Sequence, residues 1–378
     1  MKNIQMVDLK SQYQKIKNEV NAGIQEVIDS ATFIKGGKVT DFQHQLASYL
    51  NVRHVIPVGN GTDALQIALM SLGLVPGDEV IIPTFTFIST AEVVALLGLT
   101  PVLVDVEYGT FNISIESIRK AITAKTKAIV PVHLFGQNAG MESILAIAKE
   151  HHLFVIEDAC QSIGSEYTFS DGRKVQSGCM GDIGCTSFFP SKNLGCFGDG
   201  GAIFTNNELL AAKMRAISNH GMVVRYHHDL IGVNSRLDSI QAAVLEVKLK
   251  QLDYYNACRQ KAAAFYDTAF AQNNKIILPG RSAQSTHVFH QYTLKLNGVN
   301  RTELQKHLTD KGIPAMIYYP VPIHLQKAYQ DVRYKAGDFP VAEKLCECVL
   351  SLPMHTELSE EQLNFITASV LEFVEFGV

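Results

Sequence analysis

The sequence has no block of basic residues and no interleaving of basic with aromatic side chains. Its 33 Lys+Arg against 37 Asp+Glu give a net charge of −4, which excludes the electrostatic footprint of a nucleic-acid binder. No apolar run reaches the ~20 residues of a membrane-spanning helix; the most apolar stretch, Val93 to Val104, is short and contains Pro101. The opening Met1-Lys-Asn-Ile-Gln-Met-Val-Asp8 lacks a signal-peptide apolar core. The 7 cysteines include no CxxC pair, and Cys346 and Cys348, two apart, do not face each other on a helix. An odd count without an export signal predicts reduced thiols, each a small buried hydrophobe, in the cytoplasm. His227 and His228 are adjacent, so they share no helix face, and no other His stands at ligand spacing; no metal site is expected. Low-complexity linkers and internal repeats are absent. No GxGxxG follows a first strand, and Gly198-Asp-Gly-Gly201 has the wrong spacing, which argues against a plain nucleotide-binding module.

What is present is an ordinary globular balance, 47% hydrophobic and 19% charged over 378 residues, enough for one large or two medium domains. From about 60 to 205, short apolar runs alternate with helical patterns. Expected strands are Glu79–Ile82, Thr100–Asp105, Lys127–Pro131, Leu153–Glu157, Gly184–Phe188 and Gly201–Thr205. Expected helices are Asp63–Gly73, Ser89–Leu97, Ile115–Ile122 and Met141–Glu150. Such strands read as buried on both faces of a doubly wound, mostly parallel sheet, whose ligands bind beyond the strands' carboxyl ends. Another helix is expected from Asn206 to about Asn219. Arg236 to about Phe270 reads as one long helix without Pro or Gly, a strut between two lobes. Ile276–Leu278, His290–Leu296, a helix near Thr302–Lys311 and a last helix from Ser359 suggest a small α+β domain.

The chemistry concentrates at strand ends. Lys192 follows Ser187 by five positions and enters a glycine-rich loop, Gly195-Cys-Phe-Gly-Asp-Gly-Gly201. A lysine amine forms a Schiff base with an aldehyde cofactor; a serine hydroxyl and glycine backbone hold its phosphate. Asp158 ends an apolar strand and, if buried, needs a partner: the ring nitrogen of pyridoxal phosphate (PLP), or an ordinary cap or ion pair. Gln161 either donates to the ring oxygen or is a surface amide. Asn60-Gly-Thr62-Asp63 opens a helix, so Gly61 and Thr62 bind an anion or Thr62 or Asp63 simply caps. Of Phe85 and Phe87, one is placed to stack on a flat ring while at least one is core. Arg236 has the fork to clamp a carboxylate, and Arg225-Tyr-His-His228 reads as a polar, substrate-facing loop. Tyr318-Tyr319-Pro-Val-Pro-Ile-His324 is a Pro-rich turn with stacking or hydrogen-bonding groups, His324 being equally readable as a satisfied structural histidine.

Together these stretches resemble the PLP-dependent sugar-nucleotide aminotransferases of the DegT/StrS type. The resemblance runs from Val7-Asp-Leu to Ser351-Leu-Pro-Met-His355. It rests on Asn60-Gly-Thr-Asp-Ala-Leu65, Pro83-Thr-Phe-Thr-Phe-Ile-Ser-Thr90, Glu157-Asp-Ala-Cys-Gln-Ser162, Ser187-Phe-Phe-Pro-Ser-Lys-Asn-Leu-Gly195, Gly198-Asp-Gly-Gly201, Asn234-Ser-Arg-Leu-Asp238 and Tyr319-Pro-Val-Pro322. It implies the aspartate-aminotransferase-like α/β fold (fold type I), with a large PLP-binding domain over 1–250, a small C-terminal α+β domain over 251–378 and an N-terminal arm of about 1–35 packing on the latter.

The resemblance further implies Lys192 as the Schiff-base lysine, Asp158 on the ring nitrogen, Gln161 at the ring oxygen, and Gly61, Thr62 and Ser187 on the phosphate. Phe87 would cover the ring. Asn234 would reach the neighbouring subunit's phosphate, making the working unit a homodimer with shared active sites. Arg236, Tyr318, Tyr319 and His324 would face substrate. The implied reaction moves an amine from L-glutamate, through the pyridoxamine form (PMP), to C3 of a UDP-linked 2-acetamido-3-keto sugar, glucuronate or glucose in form. The product would serve surface polysaccharide or lipopolysaccharide synthesis. Relatives acting on dTDP-3-keto-6-deoxyhexoses share Tyr-His-His and Asn-Ser-Arg-Leu-Asp. Tyr318 departs from the His that glucuronate-type relatives carry. The segment Tyr167–Met180 is expected near where specificity is set. A sugar-dehydrase branch with His in place of the Schiff-base lysine is disfavoured by Lys192, and a non-turning-over PLP-binding regulator by the complete Lys, Asp, Gln and Ser set.

Overall fold

The computed structural model describes residues 3–330 and 332–376. Along the chain lie α1 (Leu9–Ser30), α2 (Gly37–Leu50), β1 (His54–Val58), α3 (Gly61–Ser71), β2 (Glu79–Pro83), α4 (Ser89–Leu96), β3 (Thr100–Val104), α5 (Ile115–Ala121) and β4 (Thr126–Ile129). There follow α6 (Met141–His151), β5 (Phe154–Asp158), β6 (Glu166–Thr168), β7 (Lys174–Gln176), β8 (Ile183–Ser187), β9 (Gly201–Thr205), α7 (Glu208–Ile217), β10 (Met222–Val224), β11 (His227–His228) and α8 (Ser239–Leu249). The remainder comprises α9 (Leu252–Phe270), β12 (Ile276–Ile277), β13 (Tyr292–Leu296), α10 (Arg301–Asp310), α11 (Pro340–Cys348), β14 (Val349–Leu352) and α12 (Glu360–Phe376).

Seven strands form the main sheet in the order β1-β9-β8-β5-β4-β2-β3. All pairs are parallel except those made by β9, which runs antiparallel to both β1 and β8. Successive residues of each strand go to opposite faces. Val80 and Ile82 of β2, Ala128 of β4 and Ile156 of β5 join one buried cluster, while Ile81, Ile129 and Val155 join another. Burial on both faces explains why these strands read as unbroken apolar runs. Crossover helices supply the covering layers, and α3 packs directly on β8 and β9.

A second core gathers around the antiparallel sheet β12-β13-β14. Tyr266 and Phe270 of α9, Leu304 and Leu308 of α10 and Ile366 and Val370 of α12 cover it. Within it the register partners Thr293 and Ser351 share a hydroxyl hydrogen bond of 2.8 Å. Ile4 is buried in this core, and Lys15 pairs with Glu357 at 2.5 Å; further along α1, Ile16 and Val20 pack instead on Val244 and Val247 of α8.

The strut expected from Arg236 to Phe270 is two helices. The first starts at Ser239 and ends at Leu249; Lys250 and Gln251 take φ/ψ of −63/−20 and −100/−5 before α9 begins. Both residues stay near helical dihedrals, so neither Pro nor Gly marks the turn, and α8 faces α1 and α2 whereas α9 faces α12. The helix expected from Asn206 is Glu208–Ile217, capped by the Asn207 side chain.

Segment 167–180 is not a featureless insertion. It holds the β6–β7 hairpin, which packs away from the cavity: Tyr167 Oη donates to Gln284 at 3.0 Å, and Ser170 leans on Glu142 of α6. Among the described residues no helix is long and apolar enough to cross a membrane, no cluster of His, Cys, Asp or Glu has the makings of a metal site, and all seven cysteines are unpaired.

Candidate active site

A cavity of about 740 Å³ opens at the carboxyl ends of the central strands. Asp158, the last residue of β5, and Ser187, the last of β8, line it, as do Gly61 and Thr62 in the first turn of α3. Gln161, Lys192, Phe87, Tyr318 and Tyr319 complete the expected residues found there.

At the inner end the main chain comes unusually close. A Cβ on Gly61 would lie 2.7 Å from Ser187 Cβ, and one on Gly201 would lie 2.5 Å from the Asn60 carbonyl carbon. Asn60 caps α3 by accepting from Asp63 N at 2.8 Å, which leaves earlier amides of that turn open to an anion. Thr62 Oγ1 is 2.9 Å from Ser89 Oγ, so two hydroxyls stand together beside those amides.

The Asp158 carboxylate is fixed from two sides. Its Oδ2 accepts from Thr90 Oγ1 at 2.9 Å and its Oδ1 from Cys160 N at 3.2 Å. Gln161 is oriented as firmly: its Oε1 accepts from Phe135 N at 2.8 Å, which commits its Nε2 to donate, here to Tyr319 Oη at 3.2 Å. Burial raises the Tyr319 phenol well above its ordinary range, so it is a neutral hydroxyl. The Lys192 side-chain amine makes no hydrogen bond or ion pair among the described residues. Burial pushes its amine below the ordinary lysine value, opposed by Cys160 and Asp158. A lysine so placed reaches its nucleophilic, uncharged form at lower pH than a solvated one.

Phe85 and Phe87, in the loop between β2 and α4, divide between core and cavity: Phe85 is 1% exposed against Phe111 and Phe135, whereas Phe87 is 56% exposed at the cavity mouth with its ring 6.3 Å from Tyr319.

Three expected residues lie outside the cavity. His324 is buried, its Nδ1 2.9 Å from Thr84 Oγ1 and its Nε2 3.1 Å from Glu343, so both ring nitrogens are satisfied within the fold. Arg236 is half-buried and Asn234 exposed, pairing with Asn219. The loop they share is tied to the inner end by Ser235, whose Oγ accepts from Gly59 N at 2.9 Å and donates to Asp63 at 2.6 Å. Sequence reasoning passed over Ser89, Thr90, Cys160, Asp199 and His290. Thr90 is legible as the hydroxyl ending the Pro83–Thr90 stretch, in the first turn of α4; His290 reads in the sequence only as the start of a strand pattern.

A family model described as the DegT/DnrJ/EryC1/StrS aminotransferase family matches residues 14–371. The chain is 46% identical to a protein named pleiotropic regulatory protein of Geobacillus stearothermophilus, covering 98% of each. It is 45% identical to UDP-2-acetamido-2-deoxy-3-oxo-D-glucuronate aminotransferase of Pseudomonas aeruginosa, covering 97% of this chain and 99% of the relative. It is also 45% identical to UDP-N-acetyl-3-dehydro-alpha-D-glucosamine 3-aminotransferase of Acidithiobacillus ferrooxidans, covering 97% of each. Among solved structures, an aminotransferase of this family from Brucella abortus superposes with a TM-score of 0.93 at 42% identity, over 98% of this chain and 100% of that one. NtdA of Bacillus subtilis with bound cofactor PMP superposes at 0.87 and 34% identity, over 96% of this chain and 82% of that one.

Proposed function

From the premise that this chain belongs to the DegT/DnrJ/EryC1/StrS aminotransferase family, we propose that it transfers an amino group from L-glutamate to C3 of a UDP-linked 2-acetamido-3-keto sugar. Two relatives of equal identity act on such sugars, and relatives named for dTDP sugars stand at 38%. The single observation that carries the reading is the unpaired Lys192 amine in one cavity with Asp158 and Gln161, above the start of α3.

The family is PLP-dependent, and the residues present fit that group. The closeness of Gly61 to Ser187 makes a cradle that a Cβ would fill. Asp158 lines the cavity with its carboxylate held by two donors, and Lys192 is free to react. When bound, PLP supplies an aldehyde that captures amines and a ring that delocalises negative charge from the carbon losing its proton. Gly61 and Thr62 amides and the Ser187 hydroxyl would bind the phosphate, Asp158 would hold the proton on the ring nitrogen, and Gln161 Nε2 would donate to the ring oxygen. Phe87 would cover one ring face. The Lys192 amine would be the base that moves the proton at the substrate's Cα. Tyr318 and Tyr319 would bound the sugar, and His324 would act only through Thr84 and Glu343.

Asn234 and Arg236, outside their own chain's cavity, support a homodimer in which each copy completes the other's site. We read 1–250 and 251–378 as the two structural units, supported by the break between α8 and α9, with the first 35 residues as an arm between them. The cytoplasm and surface-polysaccharide synthesis are the proposed setting.

The test is the absorption spectrum of the PLP-loaded protein before and after L-glutamate, with Lys192→Ala alongside. The expected result is loss of the visible band in wild type alone, and its return fastest with a UDP-linked 3-keto sugar. A band unmoved by glutamate would sink the donor assignment and favour a binder without turnover.

A further inference from the structure

Lys192 sits in a segment folded tightly on itself. Its amide donates to Phe189 O at 2.8 Å, and a Cβ on Gly195 would lie 2.4 Å from Pro190 O. The next side chain, Asn193, is 3% exposed and points away from the cavity into a polar seam. Its Nδ2 donates to Asn256 Oδ1 at 2.7 Å and to Val288 O at 2.9 Å. A carbonyl such as Val288 O only accepts, so Asn193 must present its nitrogen here. Asn256, 63 residues away on α9, must then present its oxygen to Asn193, and it turns its own nitrogen to Ile163 O at 3.3 Å. Gly164, at φ +82°, lets the chain pass so near that a Cβ would lie 2.4 Å from Asn256 Nδ2. One turn along α9, Arg259 Nη1 donates to Phe289 O, His290 O and Met354 O at 3.1, 3.3 and 2.9 Å.

One face of α9 therefore holds three segments that wall the cavity: the one bearing Lys192, the turn after Gln161 and the one bearing His290. The two carboxamides interlock, because rotating either would set oxygen against oxygen. We infer that Asn256 is a positioning residue for Lys192, acting through Asn193 to fix the height and direction from which the lysine side chain leaves the backbone. The inference rests on the reading of Lys192 as the cofactor-bearing lysine. Misplacement of a reacting group by about 1 Å costs on the order of 100-fold in rate, so the seam acts on catalysis from behind the pocket wall.

The experiment uses PLP-loaded Asn256→Ala and Asn256→Asp. The readings are kcat and KM for both substrates, the pH midpoint of the visible absorption and thermal stability. Asn256→Ala is expected to lower kcat by roughly 10- to 100-fold, with both KM values within about threefold and a displaced pH midpoint. Asn256→Asp keeps an acceptor facing Asn193 and, protonated by burial, a donor facing Ile163; it is expected to recover most of kcat and the wild-type midpoint. A folded Asn256→Ala protein with unchanged kcat and midpoint overturns the inference, as does equal damage in both variants. If Asn256→Ala does not fold, Asn193→Ala removes the same bond from the other side, and an unchanged midpoint there overturns it equally. Wild-type protein with no visible band counts against the reading of Lys192 itself and is seen before any variant is compared.

Discussion

The inner end of the cavity and its mouth are made of different material. At the inner end, Gly61, Asp158 and Ser187 come from a helix start and two strand ends, and their geometry follows from the register of β5, β8 and β9. At the mouth, Phe87 and Tyr318 are loop residues with partly exposed rings. The first region can change little without moving the sheet; the second can change without cost to the fold. A site divided in this way keeps one chemistry while altering what it accepts.

The contrast breaks most completely at Lys192. Lys192→Ala is expected to reduce turnover by roughly 10⁴-fold, because it removes both the nucleophile and the proton carrier, and to abolish the visible band. Turnover within tenfold of wild type would remove the basis of the proposed function. Asp158→Asn is expected to lower kcat by about 10²–10³-fold, the usual loss when one preorganised charge is removed. It has a second signature. The Asp158 charge helps to raise the Lys192 pKa against the larger effect of burial, so without it the amine of cofactor-free protein should lose its proton at lower pH. The pH dependence of Lys192 acylation measures this; a midpoint unmoved or raised would mean that the two groups are not coupled.

Gly61→Ala tests the cradle. Its Cβ would press on Ser187 Cβ within the protein itself, so overpacking of about 1–3 kcal/mol is expected to lower the thermal stability of the cofactor-free protein, and PLP affinity, read by equilibrium titration, is expected to fall with it. The smallest and sharpest comparison is between two residues of one motif. Phe87→Ala is expected to cost at most about tenfold in kcat/KM, the worth of one aromatic contact, and to leave stability unchanged. Phe85→Ala is expected to cost about 3–5 kcal/mol of stability as a core truncation. Equal melting temperatures for the two variants would erase the distinction between floor and mouth.

The sequence displays the inner end well because that end is local. Apolar runs ending in Asp158 and Ser187, and Gly61 ahead of a helical pattern, carry their meaning within a few residues. What escaped was long-range. The hairpin in 167–180 takes its place from residues 282–286, and His324 is a packing residue because Thr84 and Glu343 meet it from distant elements. The bend at Lys250–Gln251 leaves no mark because its dihedrals remain nearly helical. The Asn193–Asn256 seam cannot be read from either end, since an asparagine after a lysine and another in a helix are unremarkable until the fold joins them.

The reversed strand β9 has a mechanical consequence. Ser187 and Gly201 are register partners, and inside them Phe188 N donates to Gly200 O at 2.7 Å. The loop carrying Lys192 is thus clamped at both ends to neighbouring strands that run in opposite directions. Tension applied at the lysine enters both strands along their axes, where ladder bonds resist together in shear instead of opening one after another. The anchorage is stiff and the tether compliant, so the travel of the amine is set by the torsions of a single side chain.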